Sequence, residues 1–330
     1  MAMMLASLNA VALADPRSGT VLSQIELVNP SYISRPEHGQ FAYCVNEDLS
    51  RPGTVQALRL NGDKLTLHGD PVSSGGEQPC HISLHPYAPF AMVANYGSGT
   101  VAVLPINTDG SLEAPSSVVQ HRGSGPDARR QTGPHTHQIL TDPSGRWVLV
   151  CDLGADQVVV YGLDERTGQL HRKSTTRFAP GQGVRHLAFS ADGRTAYVAC
   201  ELSSELVKCR FNPRTGALAV DTAISTVDDE YDLHNYPAAV LVSRDGSRVY
   251  VTNRGHDSIA VIDANICELI GTRPCGGEWP RDAAISRDGT HIYVANEHSD
   301  SVVPFAITSR VPQESDLPRI DFAGATCVVP

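Results

Sequence analysis

The 330-residue chain contains no apolar run long enough to span a bilayer as a helix, and no membrane partner is expected. Nothing in it is low-complexity. Positive charge is scarce: 26 Lys and Arg against 36 Asp and Glu give a net charge of -10 and a pI near 5.7. Such a chain has no basic footprint for a phosphate backbone, which excludes nucleic acid as a partner. Eight cysteines (Cys44, Cys80, Cys151, Cys200, Cys209, Cys267, Cys275, Cys327) contain no Cys-x-x-Cys pair. Several lie inside apolar runs and read as reduced, buried thiols of a cytoplasmic protein. A Gly-rich phosphate loop is missing, and so is the Gly-x-Ser-x-Gly elbow that would bring covalent serine catalysis. Residues 1–14 are apolar and end Ala-Leu-Ala, yet no Lys or Arg precedes the run, so they read as strand rather than leader.

What the chain has is a repeat. In residues 184–201 an apolar run from Val184 meets an Asp192-Gly193 turn, and a second run follows that is rich in aromatic and β-branched residues and ends at Cys200-Glu201. That is the grammar of a β-hairpin. It recurs at 79–96, 136–153, 237–254 and 280–297, with a shorter copy at 30–47. The polar ends fall at 46, 95, 152, 201, 253 and 296, a repeat of about 50 residues, and in an all-strand pattern this means propeller blades. Third and fourth strand patterns follow several copies, as at Gln157-Val158-Val159-Val160-Tyr161, so four strands make one blade. With 28 Gly, 22 Pro and 41% hydrophobic residues, the composition fits a loop-rich all-β chain with a core.

Six hairpins leave the ring one blade short. Thr326-Cys327-Val328-Val329 reads as a lone first strand, while residues 4–8, 10–13 and 20–27 supply three more. The expectation is an all-β, seven-bladed propeller spanning 1–330 as one domain, sealed by a blade shared between the chain ends.

In an antiparallel hairpin the start of the first strand and the end of the second lie at the same end. The first column reads Cys80, His137, Arg185, Ala238 and Arg281, followed by His81, Gln138, His186, Ala239 and Asp282. The second reads Glu47, Tyr96, Leu153, Glu201, Arg254 and Glu297. Ionisable groups gathered at one concave end are candidates for binding and catalysis, here of an anionic small molecule. The competing reading is that strand-end side chains tie neighbouring blades together. Two connections also reach this end. Residues 121–135 carry Arg122, Arg129 and Arg130, which could meet an anion; residues 227–236 carry Asp228, Asp229, Glu230 and Asp232. His135-Thr136-His137 is a His-x-His pair without a third ligand at diagnostic spacing, and no metal or other cofactor is expected.

Several segments are more specific than a generic repeat: His121-Arg122-Gly123-Ser124-Gly125-Pro126, Arg130-Gln131, Pro134-His135-Thr136-His137, Gly183-Val184-Arg185-His186, Cys200-Glu201-Leu202-Ser203-Ser204, Asn253-Arg254-Gly255-His256-Asp257-Ser258 and Pro280-Arg281-Asp282. Through them the chain, over nearly all of 29–329, resembles the seven-bladed propeller lactonases, which include bacterial 6-phosphogluconolactonases and fungal carboxymuconate-lactonising enzymes. The resemblance implies catalytic roles for His137, Arg185, Glu201 and Arg254, which the columns also select. It further implies metal-free opening or closing of a lactone, with Glu201 or His137 as general base on water and Arg185 and Arg254 stabilising the oxyanion. His81, Tyr96, Arg130, His135, His186, Arg281, Asp282, Glu297 and Glu47 are the substrate-binding candidates.

The pattern is broken at Ala238-Ala239-Val240-Leu241, where relatives carry a carboxylate and a polar residue; this weakens a phosphorylated sugar lactone in particular and leaves room for a more apolar substrate. Three functions are therefore expected in order: hydrolysis of a sugar-derived lactone, a muconate-type cycloisomerase or lyase reaction favoured by Ala239 and Leu241, and a non-catalytic binding propeller.

Overall fold

The computed structural model describes residues 2–36, 38–228, 230–308 and 310–330. Seven antiparallel sheets follow one another, the last of them with a fifth short strand. Each predicted hairpin is present as the inner pair of a sheet: Ile33–Ser34 with Phe41–Asn46, Pro79–Leu84 with Phe90–Asn95, Thr136–Thr141 with Trp147–Asp152, Val184–Phe189 with Thr195–Cys200, Tyr236–Val242 with Arg248–Arg254, and Pro280–Ile285 with His291–Asn296. The ladder pairs Val184 with Cys200 just as it pairs Pro79 with Asn95, so Cys200, not Glu201, shares the column of Asn46, Asn95, Asp152, Asn253 and Asn296.

The turns follow from their chemistry. In Ser190-Ala191-Asp192-Gly193, Ser243-Arg244-Asp245-Gly246 and Ser286-Arg287-Asp288-Gly289 the Asp side chain accepts from the Ser hydroxyl at 2.6 Å. Each Gly then takes a left-handed φ of 64°, 71° or 78°, a conformation that costs a residue without a Cβ little.

The inner strands are buried on both faces. Leu149 and Cys151 point into one seam while Val148 and Val150 point into the seam on the other side, which is why these runs look continuously apolar rather than alternating. Seven apolar clusters result, each built from two neighbouring sheets, and seven seams between seven sheets make a closed ring. The closing sheet has the order Ala325–Val329, Met3–Ser7, Ala10–Asp15, Thr20–Glu26, with Leu5 opposite Val328. Met3–Ser7 and Ala10–Asp15 are thus strands, as expected of this segment, joined by a bend at Leu8-Asn9; Met1 lies outside the described residues. Leu153–Ala155 is a single helical turn, and no helix among the described residues is long and apolar enough to cross a membrane.

Candidate active site

A one-residue bulge gives the site its shape. In the inner strands the register shifts between Pro79 and His81, Thr136 and Gln138, Val184 and His186, and Pro280 and Asp282. The extra residues are Cys80, His137, Arg185 and Arg281, four of the five members of the first column read from the sequence; at the fifth, Ala238, the shift runs from Pro237 to Val240. A bulge leaves its residue out of the ladder and re-aims its side chain. Here it turns the side chains of Arg185 and Arg281 toward the ends of the adjoining strands.

Glu201 is the hub. Its Oε1 accepts from Arg130 Nη2 at 2.6 Å and its Oε2 from Arg254 Nη2 at 2.7 Å, while Arg185 Nε comes to 3.0 Å of Oε2 without the alignment of a hydrogen bond. Burial alone would raise its carboxyl; Arg254, Arg185 and Arg130 outweigh burial and hold it well below the usual carboxylate range. Arg185 is 2% exposed, and its Nε and Nη1 have no hydrogen-bond partner in the protein. Burial, then the charge of Arg254, pull it down to about 9, so it remains a cation at neutral pH that lacks full compensation.

His137 lies within the field of the same arginines. Burial and Arg185 push its pKa well below 6.5, keeping the ring neutral, and its buried Nδ1 has no partner. Around it stand Tyr96, edge-on at 5.7 Å, and His186 at 5.2 Å. His186 meets His81 at 5.5 Å, and His81 meets Tyr32 at 4.4 Å. Burial followed by Arg185 lowers His186 well below 6.5 and His81 to about 3. The structure therefore brings His81, His137 and His186 together as neutral imidazoles. Tyr32, missed in the sequence because its inner strand is so short, belongs with them.

Arg281 and Glu297 pair at 3.1 Å on a second wall. Burial works against the Arg281 charge, and Glu297 and Glu47 more than restore it. Burial pushes Glu47 up despite the pull of Arg281. Asp282 is used differently: its Oδ2 accepts the Val328 amide at 3.1 Å, tying the last sheet to the closing one, and burial pushes its carboxyl up to about 6. Gln138 does the same with the Leu187 amide at 2.7 Å. These side chains follow the bulge and bridge the sheets, the structural role expected of strand-end polar groups.

Ala239 and Leu241 also belong to the seam, packing with Tyr250, Ile259 and Ala283 in the cluster between the last two sheets. Their apolar character reports an inter-sheet contact and not a substrate wall, which removes the feature that favoured a cycloisomerase.

The connection 121–135 is held at both ends by Asp152. Its Oδ2 accepts from His121 Nδ1 at 2.9 Å and Gln157 Nε2 at 3.1 Å, and its Oδ1 from the His135 amide at 2.9 Å. His121 Nε2 meets the Tyr161 hydroxyl at 2.9 Å. The loop so fixed presents Arg130 to Glu201 and to the Tyr96 hydroxyl at 3.4 Å. His135 stacks on Tyr96 at 4.4 Å and places Nδ1 on the Tyr96 carbonyl at 2.8 Å, so the His-x-His pair does not converge. Among the described residues no group of three His, Cys, Asp or Glu side chains is arranged to hold a metal ion. Arg122 and Arg129 are exposed; Asp229 lies outside the described residues. Trp279, whose ring lies 5.6 Å from Arg254 Cζ, was also missed: the signal was a Trp at the corner where the other repeats carry Asn29, Gln78, His135, Gly183 and Tyr236.

Comparison with known proteins agrees with this architecture. A family model described as lactonase, 7-bladed beta-propeller, matches residues 13–330. A 6-phosphogluconolactonase of Bacillus subtilis is 36% identical over 280 residues, covering 82% of this chain and 76% of its own. The periplasmic gluconolactonase of Pseudomonas aeruginosa superposes with a TM-score of 0.90 at 26% identity, covering 100% of this chain and 99% of its own. A protein from Lactobacillus plantarum superposes with a TM-score of 0.89 at 28% identity, covering 100% and 99%. The chain belongs to the seven-bladed β-propeller lactonase family.

Proposed function

We propose that the protein hydrolyses a sugar-derived δ-lactone, of the gluconolactone type, by metal-free general acid–base catalysis at the Glu201 end of the ring. The carrying observation is that Arg185 Nη1 and His137 Nδ1 are buried side-chain atoms without hydrogen-bond partners, and that Arg185 Nε meets Glu201 only as an ion pair without an aligned hydrogen bond. A lactone carbonyl supplies what Arg185 lacks, and an attacking water supplies what His137 lacks.

In this reading His137 takes a proton from water as the new C–O bond forms at the carbonyl carbon. The oxyanion that develops is held by the free N–H groups of Arg185, within a field to which Arg254 and Arg130 add. The tetrahedral intermediate then collapses with cleavage of the ring C–O bond, and the imidazolium returns its proton to the departing alkoxide. Glu201 has both carboxylate oxygens engaged by Arg130, Arg254 and Arg185, whereas His137 Nδ1 is open to a water; Glu201 organises the arginines instead. The relatives named 6-phosphogluconolactonase and gluconolactonase support the substrate class. Four arginines against three carboxylates at this end support an anionic ligand or product. Eight unpaired cysteines, seven of them buried, support a reducing, cytoplasmic setting.

The test is hydrolysis of a δ-lactone panel that includes gluconolactone and 6-phosphogluconolactone. Turnover well above the buffer rate, lost in His137→Asn and Arg185→Ala, is expected. Rates equal to buffer for every lactone would sink the proposal.

A further inference from the structure

We propose that Trp279 is a positioning residue that holds Arg254 against Glu201; the role rests on the function proposed above. The first observation is a conformational conflict. In four sheets the residue entering the inner strand is left-handed and its carbonyl accepts the amide of the second-column residue: Asn29 with Glu47, Gln78 with Tyr96, Gly183 with Glu201 and Trp279 with Glu297, at 2.9, 2.9, 2.8 and 3.1 Å. Their φ values are 42°, 52°, 66° and 61°. Gly and Asn adopt this conformation readily; a bulky aromatic residue does so at a cost. The fold asks for a left-handed corner here and has no need of an indole, so the indole serves something else.

The second observation is what the ring touches. Arg254 Cζ lies 5.6 Å from its centroid, the His298 ring stacks on it at 4.8 Å and 13°, and Tyr236 stands at 6.0 Å. Arg254 meanwhile donates Nε to the Tyr236 carbonyl at 3.1 Å and Nη2 to Glu201 at 2.7 Å. Two hydrogen bonds at one edge leave a guanidinium free to tilt, and an aromatic face removes that freedom. The backbone couples the two residues as well. Asp257 Oδ1 accepts the Trp279 amide at 2.8 Å and the Gly255 amide at 3.2 Å, joining the corner that carries the indole to the turn that follows Arg254. Trp279 thus reaches the chemistry through Arg254, and touches no reacting atom.

Trp147 and Trp279 are the two tryptophans of the chain, which allows a test without turnover. In a Trp147→Phe background the indole emission is expected to shift on Arg254→Ala and to shift less on Arg254→Lys; an emission unchanged by Arg254→Ala overturns the contact. In the wild-type background Trp279→Asn fits the corner, as Asn29 does in its own, and keeps the circular dichroism spectrum. With a lactone that the enzyme turns over, Trp279→Asn and Trp279→Leu are expected to lose about 5- to 30-fold in kcat with KM little changed, the range of one cation–π contact, while Trp279→Phe stays within about 3-fold. Equal losses in Trp279→Phe and Trp279→Leu refute a π-face role. A protein that hydrolyses no lactone refutes the function proposed above, and the emission shift then decides the contact by itself.

Discussion

Single residues at this end of the ring are governed by an imbalance between buried positive charge and the anions that answer it. Glu201 serves three arginines, and Arg185 is left with two N–H groups unmet. Glu201→Gln removes the only carboxylate of that cluster, so inorganic phosphate is expected to inhibit this variant more strongly than the wild type while kcat falls; weaker inhibition would contradict the charge balance described here. His137→Asn is expected to lower kcat by about 10²- to 10⁴-fold, the usual size of a lost general base, with lactone binding retained. The wild-type rate should stay level as pH falls from 7 to 6, because the imidazole is held neutral to well below 6.5. A rate that halves near pH 6.5 would show His137 titrating as an ordinary histidine, contrary to its environment. The residue columns were legible because antiparallel pairing alone brings strand starts and strand ends to one level. Which members meet was not, since Arg130 arrives from a loop and Asp282 turns away to the Val328 amide.

At the scale of elements, the bulge and the Asp152 anchor do the positioning. Both were invisible in the sequence for a physical reason: a bulge is a property of two strands in register, and Asp152 had the look of an ordinary hairpin end. Asp152→Ala leaves the His121 ring and the His135 amide without their buried acceptor. Stability should fall by about 1–3 kcal/mol, measured by denaturant unfolding. Because the loop carries Arg130, kcat/KM should fall as well at temperatures where the variant is folded; full activity in a folded Asp152→Ala protein would show that the loop needs no such anchor. The Ser-x-Asp-Gly turns, by contrast, were readable outright, since their hydrogen bonds lie within five residues.

In the molecule as a whole, His81, His137 and His186 are, of the buried histidines, those held neutral by burial and by the charge of Arg185. The unfolded chain protonates them near 6.5 and the folded one only well below it, so the unfolded state binds more protons and stability is lost as pH falls through 6.5 toward the folded values. Asp282 and Glu47 act in the opposite sense: burial raises both carboxyls, that of Asp282 from 3.8 to about 6, and each costs stability as pH rises through its window. Three groups outweigh two, and the thermal midpoint should drop from pH 7 to pH 5, less steeply in His186→Asn; a midpoint independent of pH would refute this. Removing residues 325–330 takes the inner strand from the closing sheet and exposes the edge of Met3–Ser7, so the shortened chain should unfold at lower denaturant and self-associate.

The sequence by itself determined the strands, the turns, the seven-fold repeat and the shared closing sheet, because each is set by periodicity and by residues close along the chain or by its two complementary ends. It also brought strand starts and strand ends to one level, which placed Arg185, Glu201, Arg254 and His137 in neighbouring columns. Only the tertiary structure decided that Ala239 and Leu241 fill a seam, that Glu201 is spent on three arginines, and that His137 is left neutral with a free nitrogen. Those outcomes depend on burial and on partners drawn from different blades, and desolvation acts on a group only once its neighbours are in place.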